Sequence, residues 1–302
     1  MTSSTASSTA PRRVVLDTDL GSDVDDVLAL AVLLGSPEVD LLGCTTVYGD
    51  TALRARLTKR FLRLAGREAP VVPGERETLT GRKVWWAGHE GALFADLDTE
   101  PLDDGADAPA YLTAQVAAAP GEIDVVAIGP LTNIARAVQA DPGFAGNVRH
   151  LWIMGGRFGG AGDPEHNFRS DPEAAAIVFG SGAPITVTGL EVTTTVRLDA
   201  ADVGRISAAG ALGAALEAEI RQWWRFWNTE WNTPHDPITV LTMLVPEMFA
   251  FTAYGSVGVT PDGPDAGASA FTAGEGATRV TTGAGPREVA EEIVRRIVTA
   301  GS

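Results

Sequence analysis

The stretch VVLDTDLGSDVDDVLAL, Val14 to Leu30, holds three apolar residues, five aspartates within ten positions, and then an apolar pattern of helical period. It reads as a buried strand that gives way to a helix, with acid concentrated at the junction. Two carboxylates ~4 Å apart repel by roughly 4 kcal/mol at an effective dielectric of ~20. Asp17, Asp19, Asp23, Asp25 and Asp26 therefore need water, protons or a cation among them.

Outward from this junction the same alternation repeats. VDLLGCTTVYG (39–49), EIDVVAIG (122–129), VRHLWIMGG (148–156) and APITVTGL (183–190) read as strands. The helices between them are VDDVLALAVLLGS (24–36), DTALRARLTKRFLRLAG (50–66), PLTNIARAVQAD (130–141) and DPEAAAIVFGSG (171–182). Such a βαβα rhythm predicts a mostly parallel open sheet with helices on both faces, an α/β fold of Rossmann-like core. Ligands bind beyond the carboxyl ends of such strands, where the aspartates, VYGD, AIGP and IMGG all fall. Further on, a long helix is expected over 210–231, followed by NTPHDPITVLTML (232–244), then strands near 253–259 and 278–282, and a closing helix over 286–300. The Gly/Pro/Asp-rich segment 260–277 reads as a surface loop or hairpin tip. Residues 1–12 read as a disordered polar tail and 13–302 as one domain.

The chain has 302 residues, 45% of them hydrophobic and 21% charged, which is ordinary for a globular protein. Its net charge of −16 disfavours nucleic acid and anionic membranes as partners. The single cysteine, Cys44, follows an apolar run and reads as a buried inert thiol. No segment is apolar enough over sufficient length to cross a bilayer, and a cytoplasmic location is expected.

A helix N-terminus accounts for Asp23 and Asp25 through the macrodipole, but not for Asp17 and Asp19 at the strand's end. An EF-hand counted from Asp17 would place Ser22 where glycine is required and Leu28 where glutamate is required. Strand–DxD also opens phosphatases of the haloacid dehalogenase type. That reading wants a downstream lysine for the phosphate, and only Lys59 and Lys83 are present. A hard cation such as Ca²⁺ or Mg²⁺ suits a carboxylate set with no thiolate cluster.

DTDLGSDVDDVLAL, TTVYGD, GHEG, AIGPLTNIA, WIMGG, PEHNFRSDPEAA and HDP, in this order, resemble the inosine–uridine preferring nucleoside hydrolases over most of the chain. The resemblance implies a Ca²⁺-dependent enzyme that cleaves the N-ribosidic bond of ribonucleosides through an oxocarbenium-like transition state, using a water held at the ion. It also implies a small-molecule nucleoside partner and a homo-oligomer, dimer or tetramer. Asp19, Asp26, Asp236 and the carbonyl of Ile128 correspond to the metal ligands, and Asp19 also to the general base. Asp25, Met154, Glu165 and Asn167 correspond to residues that hold the ribose. His235 matches a position that protonates the leaving base. A carboxylate-rich pocket favours nucleosides over 5′-phosphates. The alternatives are the metal-dependent phosphatase and a non-catalytic nucleoside binder.

Two departures stand out. Two additional residues separate Asp19 from the Asp25–Asp26 pair, which makes Asp23 a further candidate. Asp50 replaces a commoner asparagine and is a candidate sugar contact. His89 of GHEG is a candidate site-lining residue, whereas His166, between Glu165 and Asn167, is expected to point away. Trp223, Trp224, Trp227 and Trp231, with Phe226, read first as a packing face and second as a wall for the base. Asp171 is expected to cap the helix that follows it.

Overall fold

The structure is a computed structural model that describes residues 10–102, 105, 107–159 and 162–302. Its ten strands are β1 (Arg12–Thr18), β2 (Val39–Thr46), β3 (Val71–Pro73), β4 (Ile123–Ala127), β5 (His150–Met154), β6 (Ile185–Thr188), β7 (Phe249–Phe251), β8 (Gly255–Val259), β9 (Ser269–Ala273) and β10 (Thr278–Ala284). They lie in the order β3-β2-β1-β4-β5-β6-β10-β8-β9, and β7 pairs with β10. From β3 to β6 and on to β10 every neighbour is parallel; β8, β9 and β7 join antiparallel. Among the described residues no helix is long and apolar enough to cross a membrane.

Period-two alternation along β1 divides the core. Val14 and Leu16 join one buried cluster with Leu28, Leu241 and Ile293. Val15 joins the other, with Leu112, Ile134 and Val178. The sheet is thus covered on both faces, one by helices Asp25–Leu34, His235–Leu244 and Pro286–Ala300, the other by Ala108–Ala118, Thr132–Ala140 and Pro172–Gly180. Cys44 is fully buried and free, and burial pushes its thiol up to about 12.

Chain order places the site. The chain leaves β1 for β2 and β3 on one side, then returns to lay β4 on the other side of β1. The loops after β1 and β4 therefore diverge and leave a crevice at their carboxyl ends. Asp19 and Ile128 stand at that crevice.

Several boundaries differ from expectation. β1 starts at Arg12, and residues 1–9 of the expected tail lie outside the described residues. The long helix ends at Trp227, four residues early, because Asn228 adopts a left-handed conformation (φ 52°) that closes it. The segment 260–277 contains β9, an antiparallel partner of β8. Its Gly-rich flanks mask a strand that pairs with β8 at the end of the sheet order.

Candidate active site

Asp25 and Asp26 open the helix Asp25–Leu34, and Asp236 lies in the first turn of His235–Leu244. The two helices pack side by side, so their N-terminal turns meet. Carboxylate oxygens of Asp25, Asp26 and Asp236 lie within 4.8 Å of one another, and all three residues are buried. Thr18, the last residue of β1, donates its hydroxyl to Asp26. Burial pushes the Asp25, Asp26 and Asp236 carboxyls well above the usual carboxylate range, and repulsion among the neighbouring aspartates adds to the shift. Asp23 is pushed up to about 8, also chiefly by burial. For Asp19 burial raises the pKa, while the Arg54 guanidinium opposes the rise.

Asp17 sits behind this group, fully buried. Its Oδ1 accepts from Thr45 Oγ1 (2.5 Å) and Asn133 Nδ2 (2.7 Å), and its Oδ2 has no hydrogen-bond partner among the described residues. Burial raises it to about 7. Its hydrogen bonds tie the end of β1 to β2 and to the helix Thr132–Ala140.

A cavity of about 790 Å³ opens over the cluster. Of the residues singled out in the sequence, Asp19, Asp23, Asp25, Asp26, Ile128, Met154, Glu165, Asn167, His235 and Asp236 line it. Glu165 caps its own short helix, accepting from the backbone N–H groups of Asn167 (2.7 Å), Phe168 (3.1 Å) and Gly156 (3.0 Å). Asn167 Nδ2 donates to the Ile128 carbonyl at 2.7 Å and to the Met154 carbonyl at 3.3 Å. The amide thus joins the ends of β4 and β5, and the Ile128 carbonyl already accepts one hydrogen bond. His235 Nδ1 lies 2.7 Å from Thr193 Oγ1, and burial pushes the imidazole down to about 4.

Two candidates stand elsewhere. The Asp50 carboxylate accepts from Leu53 N (3.1 Å) as the N-cap of Thr51–Leu64 and does not line the cavity. His89 Nε2 is 2.9 Å from the Ser22 carbonyl, with its ring against Phe226 and Trp223, also off the cavity wall. Conversely, His166 does line the cavity, contrary to expectation, with its ring edge-on to Tyr48 and Trp85. The helix His166–Ser170 is a single turn, so strand-like alternation does not apply to its side chains. The tryptophans divide between the two readings. Trp223 and Trp227 reach the cavity, Trp224 is buried and donates to Asn232 Oδ1 (3.1 Å), and Trp231 stacks under Arg197. Tyr48, Arg82, Lys83, Trp85, Arg157 and Arg169 also line the wall. Arg82, Lys83, Trp85 and Arg157 come from segments outside the strand–helix pattern and carry no local signal, whereas Tyr48 and Arg169 lie within TTVYGD and PEHNFRSDPEAA without being singled out.

The inosine–uridine preferring nucleoside hydrolase family matches residues 14–294. The chain belongs to this family. It is 37% identical over 261 residues to a probable uridine nucleosidase 2 of Arabidopsis thaliana, covering 80% of each chain. It is 32% identical over 254 residues to the non-specific ribonucleoside hydrolase RihC of Salmonella newport, covering 80% of this chain and 81% of that one. A solved plant nucleoside hydrolase superposes with a TM-score of 0.83 at 32% identity, covering 95% of this chain and 99% of that one. Family membership removes the phosphatase reading, and with it the need for a phosphate-holding lysine.

Proposed function

We propose that the protein is a Ca²⁺-dependent hydrolase of ribonucleosides, uridine among them, releasing ribose and free base. The observation that carries this reading is the buried Asp25–Asp26–Asp236 group, joined in one cavity by Asp19 at the sheet's switch point. A donor set made only of carboxylate oxygens suits a hard cation, and a cation among buried acids replaces the protons that burial would otherwise impose. Asp26 and Asp236, with Asp19 and the Ile128 carbonyl, are the residues to hold it; Asp25 stands close enough to share in that role. When bound, the ion supplies Lewis acidity, acidifying water and holding sugar hydroxyls.

The chain's own residues do the rest. Asp19 takes the proton from the attacking water. Asp25, Met154, Glu165 and Asn167 grip the ribose, and the carboxylates stabilise the positive charge that grows on the sugar as the bond to the base breaks. Trp223 and Trp227 flank the base. His235, whose imidazole burial pushes down to about 4, stands where it can hand a proton to the leaving base. No covalent intermediate forms. The family relationship supports a homo-oligomer, and the exposed Phe226 and Trp227 beside the cavity are apolar surface suited to a subunit contact.

The test is release of ribose and base from a panel of ribonucleosides, run with the native chain and with Asp19→Asn. The substitution keeps an oxygen donor and removes the base. Turnover should fall by about 10²–10⁴-fold, the usual contribution of a general base, while nucleoside affinity persists. A native chain that binds nucleosides yet releases no base from any would instead be the non-catalytic binder.

A further inference from the structure

The Thr51–Leu64 helix sends Arg54 beneath the cavity floor, where the residue has no exposed surface. Its Nε donates to the Tyr48 carbonyl at 2.7 Å. One terminal nitrogen, Nη1, donates to the carbonyls of Asp19 and Leu20, the latter at 3.1 Å. The other, Nη2, reaches Ser22 Oγ at 3.4 Å. The face of Trp86 covers the guanidinium at 4.8 Å. All four acceptors are neutral, so among the described residues no carboxylate is hydrogen-bonded to this buried charge. A buried cation without a partner is costly, and the nearby field of Asp19 and Asp26 is what offsets it.

The acceptors belong to two different strand ends. Asp19, Leu20 and Ser22 form the lengthened segment after β1. Tyr48 lies after β2 in a left-handed conformation (φ 70°) that a non-glycine residue adopts only under constraint. Tyr48 lines the cavity, and its hydroxyl accepts from Trp85 N at 2.8 Å. Ser22 Oγ donates to Glu90 at 2.7 Å, and Glu90 in turn accepts from the backbone of Ala87 and Gly88. One planar fork thus holds the aspartate segment, the Tyr48 turn and, through Ser22, the segment that carries Trp85 in a single frame.

We propose that Arg54 is a positioning residue for Asp19, fixing the backbone of the lengthened aspartate segment so that the Asp19 carboxylate sits correctly toward the ribosidic carbon and the bound cation. The proposal rests on the hydrolase reading above. Lysine keeps the charge but is a point donor that cannot span acceptors on both strand ends, so geometry and charge separate experimentally. The experiment compares Arg54→Lys, Arg54→Met and Ser22→Ala with the native chain. It measures kcat and KM for uridine, Ca²⁺ affinity of the stripped protein by calorimetry, and Tm.

In Arg54→Lys, kcat per Ca²⁺-binding site should fall about 10- to 100-fold, the scale of a ~1 Å misplacement, with KM altered less than about threefold. Arg54→Met should lose more and also bind Ca²⁺ more weakly. A merely structural role would lower Tm and the folded fraction but leave kcat per site and Ca²⁺ affinity in place. Folded Arg54→Lys with native kcat overturns the proposal. If both Arg54 variants fail to fold, Ser22→Ala decides: a severalfold loss of kcat at native Tm supports the frame, and native kcat overturns it. If the native chain does not hydrolyse nucleosides, the hydrolase reading fails, and the Ca²⁺ affinities of the same variants still decide whether Arg54 orders the segment.

Discussion

At the scale of single residues, the site depends on close approach as much as on charge. Gly129 follows the Ile128 carbonyl, and a Cβ there would stand 2.7 Å from Asp19 Oδ1 and 2.9 Å from Val47 Cγ1. The glycine is a cradle for the aspartate, and the carboxylate and the Val47 side chain are the groups that would have to move. Gly129→Ala should therefore reduce turnover by about 10- to 100-fold while far-UV circular dichroism stays native. Native turnover in that variant would show that the Asp19 carboxylate has freedom that its packing denies. That Asp25, Asp26 and Asp236 come together was legible from the motifs that carry the family resemblance, DTDLGSDVDDVLAL and HDP, and not from spacing alone. Arg54, Tyr48 and His166 were not. An arginine on an ordinary-looking helix gives no sign that it will be buried, and a tyrosine in a turn gives none that its backbone will be left-handed. Asp50 shows the converse: its place in a motif suggested sugar contact, whereas its carboxylate satisfies the free N–H of Leu53.

At the scale of elements, the parallel half of the sheet was readable because each strand is a short apolar run followed by a helical pattern. The β3 strand has three residues, and the helix Ala108–Ala118 scatters alanines around Leu112 and Val116, so neither shows a clear period. The segment carrying β9 was masked by its turn residues. How the elements lock together is a matter of a few buried polar groups. Asp171 caps Pro172–Gly180 through Ala174 N (3.2 Å) and also accepts from Leu79 N (2.9 Å) and Thr132 Oγ1 (2.7 Å). It joins that helix to the segment after β3 and to the helix after β4. Asp171→Ala loses a cap worth ~1 kcal/mol and leaves further donors short of an acceptor at about 1–3 kcal/mol. Urea unfolding should show a loss of about 3 kcal/mol; a loss below about 1 kcal/mol would mean that the neighbouring elements hold together without it.

At the scale of the whole molecule, the acidic cavity couples stability to pH and to the cation. Asp17 and Asp23 have folded values of about 7 and 8 against 3.8 for the free side chain. Asp25, Asp26 and Asp236 shift the same way. A carboxyl raised on folding binds more protons folded than unfolded, so stability is lost as pH rises from about 4 through about 8. The stripped protein should melt several degrees lower at pH 8.5 than at pH 5.5. Added Ca²⁺ should raise Tm more at the higher pH, with about 2.7 kcal/mol available at a hundredfold excess over Kd. A flat melting profile without the ion would indicate that water, not protons or a cation, screens the cluster.

All of this turns on whether the carboxylates hold a working ion. The direct measurement is release of uracil and ribose from uridine by protein stripped with EDTA, followed by titration with Ca²⁺ while bound metal is counted. Release from the stripped chain should be negligible, and recovery should saturate at one Ca²⁺ per chain. Undiminished release without metal, or no release from any ribonucleoside with the ion bound, would contradict a Ca²⁺-dependent hydrolase.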